Sequence, residues 1–204
     1  MHNGPALIGS VIQARPQAVL FTGLTFRSIH LRHFSNFRKV NALFAARGGV
    51  VGTRYIRPNG PAALYAALDA DTAHREGNQV FYQTASSAAG QALLLAGGLR
   101  PDPVVLIGVH VRAVRMLDLR DNATRLTLGV NGLPELLGAW RGIPNAPTQG
   151  LGDAVFNDGH FEGILFPSAQ NAGRDAMVLF PARLQSPSQV DFTDVTTNLA
   201  ARLP

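Results

Sequence analysis

The 204-residue sequence has no cysteine, one lysine (Lys39) and one tryptophan (Trp140). Without thiols there is no disulfide scaffold, no thiol nucleophile and no thiolate metal site. No run of about 18 apolar residues occurs, so no spanning helix is expected. The longest apolar stretch, Val104 to Val111, already contains Gly108 and His110. The N-terminus lacks the basic segment and long apolar segment of a signal peptide, which points to a soluble, cytoplasmic chain with no membrane contact. Internal repeats and low-complexity tracts are also missing.

What is present fits one domain with modest additions. At 46% apolar residues the chain can bury roughly 70% of its unfolded surface. The formal charge is +5 and arginine supplies 17 of the 18 basic residues. These arginines are scattered and not interleaved with aromatics, so direct nucleic-acid binding is not expected. An anionic small ligand, such as a phosphate-bearing metabolite, suits them better.

Residues 1–24 are apolar, and Pro5, Gly9 and Pro16 argue against a helix there. They read as an extension packed on a single domain over 25–204. Residues 25–31 alternate as a strand, with Phe26, Ser28 and His30 on one face. The 3–4 spacing of Phe37, Val40, Leu43 and Phe44 predicts a helix over 36–46. A glycine-punctuated strand is expected to end near Tyr55, followed by a Pro-Asn-Gly-Pro turn and a short strand over 62–68. Asp69 and Thr72 form the start of a helix reaching about Ala85. Residues 97–103 read as a loop and 104–117 as the strongest strand. Helices over 133–140 and 149–157 and strands over 161–166 and 177–184 complete the pattern. Strands outnumber helices and do not alternate with them, which predicts an α+β class: a mixed sheet flanked by short helices.

Several chemistries lack their motifs. The six histidines form no HExxH pair, and the His30/His33 pair has no nearby carboxylate, so no metal site is expected. There is no GxxxxGK[ST] phosphate loop and no GxSxG nucleophile turn. What remains is a set in chain order: Arg54 at a strand end, Tyr65 on the next strand, Glu76 eleven residues later on a helix, and Ser168 at a later strand end. An arginine fork grips a pyrophosphate. A tyrosine ring stacks on a nicotinamide or ribose. A carboxylate holds a ribose hydroxyl and stabilises an oxocarbenium-like centre.

The wording around these residues resembles the RES domain family, named for an Arg, a Glu and a Ser. The matching text is FRSIHLRHF (26–34), GTRYIRPNGPAALYAALDADTAHRE (52–76), LDLRD (117–121), APTQGLGDAVFNDGHFEGILFPSAQN (146–171) and MVLFPARL (177–184). The family's usual GGRWNPPGTPALY appears here as GTRYIRPNGPAALY, with one extra residue. The resemblance implies an ADP-ribosyltransferase-like fold and a bacterial toxin that cleaves the nicotinamide–ribose bond of NAD+ by hydrolysis or phosphorolysis, with no metal. The alternative it implies is a mono-ADP-ribosyltransferase acting on a cellular protein such as a nucleotide-metabolism enzyme. It assigns the pyrophosphate to Arg54, the nicotinamide end to Tyr65, the ribose to Glu76 and the nicotinamide-ribose pocket to Ser168. Arg27 is a second candidate for phosphate, and a shifted alignment moves the role of Arg54 to Arg47 or Arg57. A cognate Xre-like antitoxin that occludes the NAD cleft, and inorganic phosphate as co-substrate, are the partners it implies.

Overall fold

The structure, a computed structural model, describes residues 1, 4–31, 43, 45, 52–138, 140–141, 143, 146–194 and 198–204. The helix expected over 36–46, apart from Leu43 and Ala45, and the alternative arginine Arg47 lie outside these residues.

The chain opens with helix α1 (Gly4–Gln13), not with an irregular extension. Pro5 falls in the first turn, where its missing N–H breaks no bond. Leu7, Ser10 and Val11 form its buried face. Strand β1 (Val19–His30) begins well before the predicted residue 25. After it come β2 (Leu64–Ala67), α2 (Ala70–Gly77), α3 (Gln79–Ala85) and α4 (Ala88–Leu95). The long strand β3 (Val104–Asp118) precedes α5 (Asn122–Thr127), α6 (Leu133–Leu137) and α7 (Pro147–Asp158). Strands β4 (Gly163–Pro167), β5 (Asp175–Leu179), β6 (Gln189–Asp194) and β7 (Leu199–Leu203) close the chain. The strand expected over 177–184 is shorter because Pro181 starts a turn that a strand cannot continue through.

The sheet order is β1-β2-β5-β4-β3-β6-β7, and β1 also pairs with β3 from Val19↔Met116 to His30↔Val104. That extra pairing closes β1, β2, β5, β4 and β3 into a ring. Only β3–β4 is parallel among the described strands. Alternate side chains divide between two cores, as period two requires. Leu64, Ala66, Met177 and Leu179 point into one, with Val109, Val111 and Val190. Tyr65, Ala67, Ala176 and Val178 point into the other, where Leu7 of α1 and Leu151 and Val155 of α7 cover the sheet. Each fully buried Leu, Val or Met contributes about 1.5–3 kcal/mol. The site lies on this helix-covered face, at the end of β2 and under α2.

Candidate active site

Helix α2 starts where the sequence places a cap. Asp69 accepts the Thr72 N–H at 2.8 Å and the Thr72 hydroxyl at 2.7 Å. Two turns on, Glu76 reaches the sheet. Gly77 permits this: a Cβ there would lie 2.3 Å from Ser28 Oγ on β1. The helix ends at Gly77, and α3 restarts after Asn78, so the continuous helix expected to about Ala85 is two short ones.

Glu76 and Ser168, 92 residues apart, meet: the Ser168 hydroxyl donates to Glu76 Oε1 at 2.6 Å. Ser168 is buried, and its oxygen accepts the backbone N–H groups of Gln170 at 3.1 Å and Asn171 at 3.2 Å. The serine thus both caps the β4–β5 turn and fixes the glutamate. The same turn holds the other end of α2, since Asn171 Nδ2 donates to Thr72 Oγ1 at 2.9 Å and Asp71 Oδ2 at 3.0 Å. Burial pushes the Glu76 carboxyl above its ordinary range. The Ser168 hydroxyl, the Arg54 charge and the Gln170 amide oppose that shift only in part.

Residues 52–57 form a tight loop, not the end of a strand. Gly52 has φ +76°, and the Thr53 N–H donates to the Ile56 carbonyl at 2.7 Å. A Cβ at Gly52 would meet that carbonyl oxygen at 2.4 Å. Two groups hold the loop: Tyr65, whose hydroxyl accepts the Tyr55 N–H at 3.1 Å and shares a hydrogen with Thr53 Oγ1 at 2.7 Å, and Gln149, which donates to the Thr53 carbonyl at 2.9 Å. Gly152 of α7 sits so close that a Cβ would overlap the Tyr55 carbonyl oxygen at 1.7 Å. The loop aims Arg54 inward. The residue is 7% exposed, and Nη1 donates to the carbonyls of Leu136 at 2.6 Å and of the C-cap Gly138 at 3.1 Å, at the C-terminal end of α6. Its other N–H groups make no hydrogen bond among the described residues.

These elements enclose a cavity of about 230 Å³ lined by Tyr65, Phe26, Phe166, Arg54, Glu76 and Trp140. It shares Arg54, Gln79, Trp140 and Arg141 with a wider, more polar cleft of about 610 Å³ that adds Arg75 and Tyr82. The arginines there lie over rings: Arg141 is 5.0 Å from the centroid of Trp140 and Arg75 4.9 Å from that of Tyr82. A small apolar chamber with one carboxylate thus leads to a cationic outer cleft. Such a shape suits a ligand with an aromatic or sugar end and an anionic middle.

The structure brings Arg54, Tyr65, Glu76 and Ser168 to one place. Ser168 does not line the cavity but stands behind Glu76. The Tyr65 hydroxyl is committed to the 52–57 loop, so the tyrosine presents its ring. Arg27, expected as a second phosphate contact, lies on the opposite face of β1, with Thr25 and Ile29, because strand side chains alternate. Burial lowers its pKa to about 10. The alternative Arg57 is exposed and pairs with Asp153 at 3.1 Å. Trp140 and Gln149 stand in the cavity wall and behind the loop. Sequence reasoning assigned nothing to Ser28, Gln79 and Arg141, although the face shared by Phe26 and Ser28 was a signal for the first. Among the described residues no group of three or more His, Asp or Glu is placed to hold a metal ion, and no helix is long and apolar enough to cross a membrane.

The ring of five strands flanked by short helices is an α+β, ADP-ribosyltransferase-like fold. The RES domain matches residues 25–198, and the chain belongs to that family. A chain of the M. tuberculosis MbcT–MbcA toxin–antitoxin complex shares the fold, with a TM-score of 0.67 at 18% identity over 98% of this chain and 93% of that one. No curated protein matches the sequence at a significant level.

Proposed function

We propose that this protein cleaves the nicotinamide–ribose bond of NAD+ and acts as the toxin of a toxin–antitoxin pair in the cytoplasm. The observation that carries the reading is the half-buried Glu76 carboxylate, fixed by Ser168 at 2.6 Å on the wall of an apolar chamber beside Arg54. The nicotinamide and its ribose occupy the chamber against the Tyr65 ring. The pyrophosphate lies toward the free N–H groups of Arg54 and the cations of the outer cleft.

The N-glycosidic bond breaks heterolytically. Its electron pair stays on the ring nitrogen, so nicotinamide leaves neutral and positive charge develops at the ribose carbon. Glu76 holds a ribose hydroxyl and offsets that charge. Water attacks the ribose carbon and loses a proton to solvent, giving ADP-ribose; phosphate in its place gives the ribosyl phosphate. The leaving group needs no activation, so positioning and electrostatics suffice.

The test is nicotinamide release from NAD+, with and without phosphate. Wild type should release it, and Glu76→Ala should lose at least about a hundredfold in rate. Dependence on phosphate distinguishes phosphorolysis from hydrolysis. Unchanged release by Glu76→Ala removes the assignment, and no release together with labelled cellular protein makes the chain a transferase. A relative of the same fold is known from a toxin–antitoxin complex, which supports a cognate antitoxin, of Xre-like type, that blocks the cleft.

A further inference from the structure

We infer that Ser28 is a further substrate-positioning residue, which holds the sugar hydroxyl of the bound nucleotide next to the one held by Glu76. The inference rests on the proposed NAD+ reading and adds a contact to it.

Ser28 lies on β1 on the same face as Phe26, and both line the chamber that holds Glu76, Arg54 and Tyr65. Its Oγ is buried and has no hydrogen-bond partner among the described residues. Buried hydroxyls almost always have one. Other described side chains share that condition, among them Gln17, Tyr55 and Arg183, but Ser28 is the one of them that is also a lining residue of this chamber. The neighbouring polar groups are already engaged with protein: Ser168 with Glu76, and Tyr65 with Thr53 and Tyr55.

Its position relative to Glu76 is set by backbone. Gly77 follows Glu76 directly, and a Cβ built on it would lie 2.3 Å from Ser28 Oγ and 2.7 Å from Ser28 Cβ. The hydroxyl therefore sits against the C-terminal turn of α2, at the root of the residue that carries the carboxylate. A polyhydroxylated ring placed against Glu76 has hydroxyls on adjacent carbons. Glu76, an acceptor when ionised, takes a hydrogen from one, and Ser28, both donor and acceptor, pairs with the next. A ring lacking a hydroxyl would leave the serine unpartnered, so the pair selects a ribose over a deoxyribose.

Ser28→Ala removes one oxygen and adds no volume. We expect KM for NAD+ to rise about tenfold while kcat falls by less than about threefold, the pattern of lost ground-state binding. In a Glu76→Gln background, which prevents turnover, calorimetric affinity for NAD+ should fall by about the same factor on adding Ser28→Ala. The melting temperature should hold or rise, because truncating an unpartnered hydroxyl removes no protein contact. A lower melting temperature with unchanged KM and affinity would make Ser28 merely structural and overturn the inference. Wild-type protein that cleaves NAD+ alongside Ser28→Ala with the same KM overturns it while leaving the functional reading intact. Wild-type protein that neither binds nor cleaves NAD+ overturns both.

Discussion

In the proposed reaction, Glu76 is a side chain whose environment serves chemistry at some expense to the fold. Its carboxyl is raised above the ordinary value of 4.5 mainly by burial. A carboxyl with a raised folded-state pKa favours the protonated fold. Its contribution to stability is complete below the unfolded value and is lost as pH rises through the folded one. Glu76→Gln should therefore be more stable than wild type at pH 7, and the difference should vanish below about pH 4.5 in thermal unfolding. Catalysis has the opposite requirement. The ionised form is the one that stabilises positive charge, so the acidic limb of kcat for nicotinamide release should lie above the usual glutamate range. Ser168→Ala removes a hydrogen bond that lowers this pKa. That variant should shift the limb to higher pH and lose about ten- to a hundredfold in rate at neutral pH. A purely turn-capping serine would leave the limb in place.

At the scale of elements, glycines decide where backbones meet. Gly152→Ala would drive a methyl into the Tyr55 carbonyl, separating α7 from the loop that aims Arg54. A loss of about 1–3 kcal/mol in urea unfolding is expected, with weaker NAD+ binding. Asp69→Ala should cost about 1 kcal/mol by removing the cap of α2. Much of this was legible beforehand. The Asp-x-x-Thr cap marks α2, the alternation and β-branched content mark β3, and the apolar run marks β4. Helix α1 was not legible because a proline in a first turn looks like a breaker without knowledge of where the turn begins. The loop over 52–57 resembles a strand end in its residues, and only Tyr65 and Gln149, distant in sequence, reveal what holds it. Strands β6 and β7 went unread because each is only five or six residues long, and LAARL is built of residues that favour a helix. Among the site residues, the text match located Arg54, Tyr65, Glu76 and Ser168. Parity along β1 excludes Arg27 once Phe26 is known to face the cavity.

Across the whole molecule the excess of arginine acquires a direction. The chain is +5 overall, and Arg54, Arg75 and Arg141 line the cleft, so the anionic nucleotide of the proposed reaction would be drawn toward the chamber. Raising salt from about 0.05 M to about 0.5 M should increase KM for NAD+ severalfold and change kcat little. An equal KM at both salt concentrations would mean that these charges are only surface solvation. The closed strand order also has a consequence for synthesis. Strand β2, which carries Tyr65, has β5 as its neighbour in the ring, and Glu76 is held by a serine 92 residues downstream. Helix α2 can meet β1 and β2 as soon as they are made, but the serine that fixes its glutamate is synthesised only 92 residues later. Until then the growing polypeptide carries every residue that the carboxylate's own helix needs and none of the hairpin that fixes it. The activity proposed for this protein would therefore wait for the β4–β5 hairpin, long after its arginine, tyrosine and glutamate have been made.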